Sequence, residues 1–390
     1  FERMYKVWDY LRKNTDRRHP TSISKMRKDE DINAYIGDKE TINRLLKDMA
    51  NIMNLEDGGS DYKPEAEWRL YFDDFKKFYG DKERYERDDS DEDDSYIANV
   101  MRIKNLYYNR TFSEKEVDSI IEGIMATRTL DSKSAQELVR KVEDNMTTVF
   151  YKRTPRHICK VQEPELADRE LLKDNLAIIQ KAIDDNVRIQ FRFNGYSYEK
   201  KLEQVREEAD ELSPYYIVAS GGKYYLLAAK EYEGYKPNMS IWRIDLMTDI
   251  EIPGKNDRLH IKGIPRIPKK DVANLPEKWS EDFQLKHLNM SFDKPVTVTL
   301  RIKSEKCEDN PKKRVRPGYT FLHDWFGDSF TYIRTETKPP YDDIVRVECS
   351  PYGMAHWALQ YSELVEVLEP ESLREDIKSK IKALNEKYSL

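Results

Sequence analysis

Ser213-Pro214-Tyr215-Tyr216-Ile217-Val218-Ala219, then Gly221-Gly222, then Lys223-Tyr224-Tyr225-Leu226-Leu227-Ala228-Ala229, is the stretch on which the fold turns. Two runs rich in aromatic and aliphatic residues flank a Gly-Gly pair suited to a hairpin turn. Upstream, Ile189, Phe191 and Phe193 alternate with Arg188, Gln190 and Arg192, the period of a half-buried strand. Downstream, residues 240–246 read as a further strand. Short strands this close together predict a small barrel. Leu172, Leu176, Ile179 and Ile183 mark a helix ahead of it, and the irregular, Pro- and Lys-containing stretch 253–290 reads as a linker.

Towards the N-terminus the period changes to that of helices. Met4, Val7, Trp8 and Leu11 form one apolar stripe over residues 2–13. Ser22 can cap a second helix with a weak pattern of Ile23, Met26 and Ile32. Gly37 breaks the chain, Asp38 is a good N-cap, and Ile42, Leu45, Leu46, Met49 and Ile52 line one side of a third helix. Its opposite face is expected to carry Glu40, Asn43, Arg44, Lys47 and Asn51. Gly58-Gly59 is a turn signal suited to a wing hairpin. Ser113 with Glu116 has the spacing of a capping box. It opens a helix that pairs with a second one, marked by Ala135, Leu138, Val139 and Val142, as an αα-hairpin. Near the C-terminus, Val296, Val298, Leu300 and Ile302 alternate as a strand, two more strands fall near 344–349 and 363–368, and Leu373, Ile377, Ile381 and Leu384 mark a last helix.

The chain has 390 residues, room for two to four domains. Its net charge of −6 looks wrong for a nucleic-acid binder, but residues 81–94 alone carry nine acids against three bases. That composition predicts an exposed or disordered segment. Residues 12–28 instead carry seven bases (Arg12, Lys13, Arg17, Arg18, Lys25, Arg27, Lys28) against Asp16. No run approaches the roughly 20 apolar residues of a membrane span. The first residues contain no apolar leader core, and the three cysteines, Cys159, Cys307 and Cys349, are scattered. A reducing cytoplasm is the expected compartment.

A recognition helix must bury one face and offer polar side chains to DNA with the other. Arg44 and Asn43 suit purine edges, and Lys39, Thr41 and Lys47 suit phosphates. The plain alternative is a small helical domain with a solvated face, and the basic cluster favours DNA. Catalysis has no support. There is no nucleophile elbow, phosphate-binding Gly-rich loop or Cys-x-x-Cys pair, and the six histidines have no zinc-like spacing. Neither a cofactor nor a metal is expected.

Residues 7–20, with Asp38-Lys39-Glu40-Thr41-Ile42-Asn43-Arg44, resemble the N-terminal winged helix of clostridial WYL-family regulators. Lys39 stands for the family's usual Arg, and Leu45 for its usual acid. Residues 213–218, then 221–226 with Tyr224-Tyr225-Leu226 at the naming motif, then Trp242-Arg243-Ile244-Asp245, follow the order of the WYL domain, with Leu246-Met247 in place of its usual Arg-Ile. The resemblance implies an Sm-like (SH3-like) barrel that binds a nucleotide or nucleic-acid effector, with Arg243 as the phosphate-binding residue. Arg206, Ser213, Tyr215 and Tyr224 are the other candidates for that pocket. The alternatives are that Arg243 pairs with Asp245 and that the tyrosines are core. Asp324-Trp325-Phe326-Gly327-Asp328, His356-Trp357 and residues 365–375 resemble the extension that often follows WYL domains, implying a ferredoxin-like half of order β-α-β-β-α.

The expected fold class is therefore α+β and multidomain. The parts are a winged helix-turn-helix over 1–62, a helical linker over 63–165, a WYL barrel over 166–255, a linker over 256–290 and an extension over 291–390. The expected function is a bacterial DNA-binding transcription regulator acting as a homodimer on double-stranded DNA, responsive to a nucleotide or single-stranded nucleic-acid effector. The competing reading is a single-stranded nucleic-acid-binding accessory protein using the barrel and the basic run Lys312, Lys313, Arg314 and Arg316.

Overall fold

A computed structural model describes residues 1–55, 63–64, 67–73, 103–127, 130–153, 169–303, 306–307, 310–314 and 318–388. The expected turn at Gly58-Gly59, the acidic stretch 81–94 and the side chains of the basic run from Lys312 to Arg316 lie outside the described residues. The architecture is mixed α+β and multidomain, in two compact units, 1–165 and 166–390.

In the first unit, α1 (Glu2–Asn14), α2 (Ile23–Met26), α3 (Glu30–Ile36) and α4 (Lys39–Asn54) precede β1 (Leu70–Tyr71) and β2 (Tyr107–Tyr108). The weak pattern after Ser22 resolves into two short helices, each with a side-chain cap, Ser22 on Lys25 N and Asp29 on Asp31 N. The two strands pair antiparallel, and an isolated bridge from Thr21 to Leu106 adds a third extended segment. One core joins Val7, Leu11, Ile36, Ile42, Leu46 and Met49 to Leu70, Phe72 and Leu106. This core therefore runs past residue 62, where the sequence reading ended the first domain. The hairpin of α5 (Glu114–Ala126) and α6 (Ser132–Met146) has its own core of Val117, Ile121, Val139 and Val142. The Ser113–Glu116 capping box forms as its spacing predicts.

The second unit opens with α7 (Arg169–Asp185), which packs Leu172, Ile179 and Ala182 onto a curled antiparallel sheet. Its strands are β3 (Ile189–Tyr196), β4 (Leu202–Gln204), β5 (Asp210–Ser220), β6 (Lys223–Tyr232), β7 (Tyr235–Arg243) and β8 (Met247–Glu251). They run in the order β4-β3-β5-β6-β7, with β8 also on β3. Because β3 serves β5 with its first half, β4 with its last and β8 on its other edge, the sheet curls into a half-barrel. The β5–β6 hairpin turns at Gly221 and Gly222, both with positive φ, the region that favours glycine.

The stretch 253–290 is not a bare linker. Phe283, Met290 and Leu275 pack on Val218, Leu227 and Met239, while Ile267 and Val272 pack on Tyr215 and Ala229. The stretch is a strap over the outer face of β5–β7, so Leu226, Leu227, Ala228 and Ala229 are all buried. β9 (Val296–Ile302), β10 (Lys306–Cys307), β11 (Asn310–Arg314), α8 (Thr320–Phe326), β12 (Thr331–Thr335), β13 (Asp343–Cys349), α9 (Pro351–Gln360), β14 (Val365–Glu369) and α10 (Glu371–Tyr388) complete the unit. A four-stranded sheet of order β12-β13-β9-β14 packs Val298, Leu300, Val345 and Val367 against Leu322, Phe326, Trp357 and Leu373 of the helices.

Candidate nucleic-acid interface

Helix α4 begins where Gly37 (φ 66) ends α3 in a conformation that a Cβ strains. Asp38 Oδ1 accepts the Thr41 backbone N–H at 2.7 Å. That hydrogen bond, aided by the charges of Arg3 and Arg27, holds the Asp38 carboxyl below the usual carboxylate range. Arg27 braces the turn by donating to the Gly37 carbonyl at 3.1 Å. Ile42, Leu46, Met49 and Ala50 are buried, which fixes the helix on the core.

Lys39 and Arg44 are exposed and Thr41 and Lys47 half-buried, so these four lie outside the core face. Arg44 Nη2 pairs with Glu40 Oε1 at 3.0 Å. An exposed i,i+4 pair is worth roughly 0–1 kcal/mol, so an incoming phosphate can displace it at small cost. Asn43 corrects the sequence reading: it is fully buried, on the line of Leu46 and Ala50 rather than on the polar face. A side chain so placed does not reach a base edge. Ile52, expected in the core stripe, is 69% exposed. Sequence reasoning missed Asn54, whose Oδ1 accepts the Arg69 and Leu70 N–H groups and whose Nδ2 donates to the Leu70 carbonyl at 2.8 Å. This buried amide ties the end of α4 to β1.

The basic cluster of the first helix and its loop divides by partner. Arg12 and Lys13 share Asp9 at 3.1 and 2.7 Å. Arg17, Arg18 and Lys28 are exposed, with no ion-pair partner among the described residues.

The half-barrel candidates do not come together in one pocket. Ser213 is buried and its Oγ accepts the Ile267 N–H at 3.1 Å, while the Tyr215 hydroxyl donates to the Ile267 carbonyl at 2.8 Å. Both residues fasten the strap, and burial pushes the Tyr215 phenol up. Tyr224 packs on the half-barrel core. Arg243 ends β7, and a single 3-10 turn (Ile244–Leu246) follows where a strand was expected. That turn brings Asp245 back onto the Arg243 guanidinium, Nε to Oδ1 at 3.1 Å and Nη2 to Oδ2 at 2.5 Å. Arg243 is thus the partner of a buried carboxylate rather than an open phosphate fork. Arg206 lies elsewhere, over the Trp242 ring at 5.8 Å and 3.4 Å from Asp210 Oδ2. Sequence reasoning missed Lys230, whose Nζ reaches Asp210 Oδ1 at 2.6 Å. Fully buried Asp210 is therefore held between two cations. Among the described residues, no group of three or more His, Cys, Asp or Glu side chains is arranged to hold a metal.

The WCX domain family model matches residues 294–384, the four-stranded sheet with its helices. Over those residues the chain is similar to the WCX domain family. The WCX domain is the C-terminal extension associated with WYL domains, so the resemblance read from residues 324–328, 356–357 and 365–375 is borne out. Among solved structures, the chain is similar to proteasome accessory factor B/C (PafBC) of Arthrobacter aurescens, at 16% identity and a TM-score of 0.22. That match covers 74% of this chain but only 40% of PafBC. A CRISPR Cas-related protein matches at 12% identity and a TM-score of 0.30, over 76% of this chain and 78% of the other. No curated protein matches the chain. Within the WCX domain Phe326 and Trp357 are fully buried, and Trp325 donates its indole N–H to the Tyr361 hydroxyl at 3.0 Å. These rings are committed to packing. No helix among the described residues is long and apolar enough to cross a membrane.

Proposed function

We propose that the chain is a DNA-binding transcription regulator that acts by binding rather than by turnover, with α4 as its recognition helix and the half-barrel as its sensor. The observation that carries this reading is the two-faced build of α4. Ile42, Leu46 and Met49 lock it on the core, while Lys39, Thr41, Arg44 and Lys47 stay off that face. The order around it supports a winged helix-turn-helix: α1, the Thr21 segment, the short α2, α3, a two-residue turn, α4, then the β1–β2 ribbon. The WCX match supports the regulator reading from the other end of the chain. There, with the separate β10–β11 ribbon set aside, the element order β9-α8-β12-β13-α9-β14 and the strand order β12-β13-β9-β14 fit a ferredoxin-like layer.

A homodimer in the cytoplasm would present two such helices to two half-sites of duplex DNA. A nucleotide or single-stranded nucleic acid at the half-barrel would act by binding one arrangement of the dimer more tightly. Of the pocket candidates, Arg206 keeps this role, while Arg243 leaves it for its ion pair with Asp245 and Ser213, Tyr215 and Tyr224 leave it for packing. The test selects bound duplexes from a random library and titrates the best one by fluorescence anisotropy at several salt concentrations. Losing two DNA contacts in Arg44→Ala/Lys47→Ala is expected to weaken binding by roughly tenfold or more and to flatten the salt slope. Unchanged affinity in that variant overturns the assignment of α4.

A further inference from the structure

The first unit holds a cavity that the reading of α4 does not use. It has a volume of about 730 Å³ and lies against the outer face of the β1–β2 ribbon. Leu70, Phe72 and Leu106 point into the core, so the alternate residues, Tyr71, Tyr107 and Asn105, face outward. The Tyr71 and Tyr107 rings lie 5.0 Å apart at 30° and form one aromatic wall. Arg17 and Arg18, from the turn after α1, form the opposing rim.

Among the described residues, neither of these two arginines has an ion-pair partner. The nearby Asp16 carboxylate is occupied by the backbone N–H groups of Arg18 and His19 and by the His19 ring. Asp73, also in the wall, accepts the Asn105 amide at 2.8 Å. A second cavity of about 700 Å³ shares Arg17, Arg18 and Asn109 and reaches Arg110 and Lys115. The two guanidinium groups therefore stand where two cavities meet. Each volume falls within the range of small-molecule sites, roughly 300–1,000 Å³.

We propose that this groove binds a nucleotide, with Arg17 and Arg18 on its phosphate and the Tyr71–Tyr107 wall stacking its base. Unpaired arginines suit phosphate oxygens, and an aromatic wall suits a base of any identity. Asn109 spends its amide N–H on the Trp68 carbonyl, which leaves its side-chain oxygen as an acceptor for a base edge. The source of the nucleotide is either a free mononucleotide or the end of a single strand. The proposal stands whether or not α4 reads duplex DNA.

The test uses the full chain and two probes, 5′-AMP and a 5′-phosphorylated tetrathymidylate, titrated by calorimetry at moderate salt. At least one probe is expected to bind. AMP binding identifies a free nucleotide, and binding of the tetrathymidylate alone identifies a strand end. Arg17→Glu/Arg18→Glu is expected to weaken it by roughly tenfold or more, and the milder Arg17→Gln/Arg18→Gln in the same direction. Tyr71→Ala is expected to weaken it by roughly fivefold or more while Tyr71→Phe retains it, since stacking needs the ring and not the hydroxyl. Lys382→Glu, at an exposed position of α10, leaves it unchanged. Neither probe binding, both Arg17/Arg18 variants binding normally, or loss in Arg206→Glu alone overturns the proposal.

Discussion

The Arg243 guanidinium holds the buried Asp245 carboxylate at two points across one 3-10 turn, directly after β7 ends. Burial of the Arg243 head opposes its charge, but the hydrogen bonds and charge of Asp245 outweigh it and raise the pKa. Removing the arginine leaves a buried carboxylate without its main partner. Arg243→Ala is expected to destabilise the second unit by about 2 kcal/mol, measured by urea unfolding. Arg243→Ala/Asp245→Ala is expected to cost less than the sum of the two single changes. Additive losses would show that the two side chains do not depend on each other.

Gly353 lies in the first turn of α9, where an added Cβ would meet the Leu288 carbonyl oxygen at 2.8 Å and the Ser291 Oγ at 2.8 Å. The Leu288 oxygen is backbone and cannot swing aside. Ser350 caps the helix by accepting the Gly353 N–H at 3.1 Å and donating to Asp293 at 2.6 Å, so the neighbourhood is already tied down. Gly353→Ala is expected to lower the stability of the WCX domain by about 1–3 kcal/mol. A thermal melt matching the parent protein would contradict this close packing.

Stability of the first unit carries an acid-sensitive part from its helix caps. The Thr41 N–H on Asp38 and the Ser113 N–H on Glu116 each hold a carboxyl below its ordinary value in the folded chain. A depressed folded-state pKa contributes stability above the unfolded value, near 4, and that contribution is lost as pH falls through the folded value. The melting-temperature gap between the parent protein and Asp38→Asn or Glu116→Gln is expected to shrink from pH 6 to pH 3. A gap independent of pH would remove the caps as its source.

Cys349 is fully buried at the end of β13, and burial pushes its thiol up to about 12. Alkylation requires the thiolate. The Cys349 peptide is therefore expected to stay unmodified by iodoacetamide at pH 8 in the folded protein and to react fully in denaturant, read by mass spectrometry. Rapid native labelling would mean that the WCX core opens readily.

Legibility followed periodicity. The stripe of Ile42, Leu46 and Met49, the capping box at Ser113 and the β5–β6 hairpin at Gly221-Gly222 are all local patterns, and each forms as written. Asn43 was not legible because the buried stripe of α4 is wider than its apolar residues, and a polar residue inside it looks the same as one outside. The pairing of Arg243 with Asp245 depends on a 3-10 turn that the alternation of 240–246 does not announce. Neither Asp210 with Lys230 nor Asn54 with Leu70 is adjacent in sequence, so both contacts depend on the completed fold. One signal for the strap was present: Leu226-Leu227-Ala228-Ala229 does not alternate, and a strand apolar on both faces needs cover on both.

That cover bears on how the chain can be divided. A fragment ending at residue 255 would lay bare Val218, Leu227 and Met239 on the sheet's outer face, together with Tyr215 and Ala229. Exposed sheet surface of this kind invites self-association. Extending the fragment to 290 would still strand Leu288, which belongs to the core that also holds Trp357 and Met354. The smallest piece of the second unit that keeps these apolar faces covered therefore begins with α7 and runs through the WCX domain, so half-barrel and extension should be expressed, melted and crystallised together.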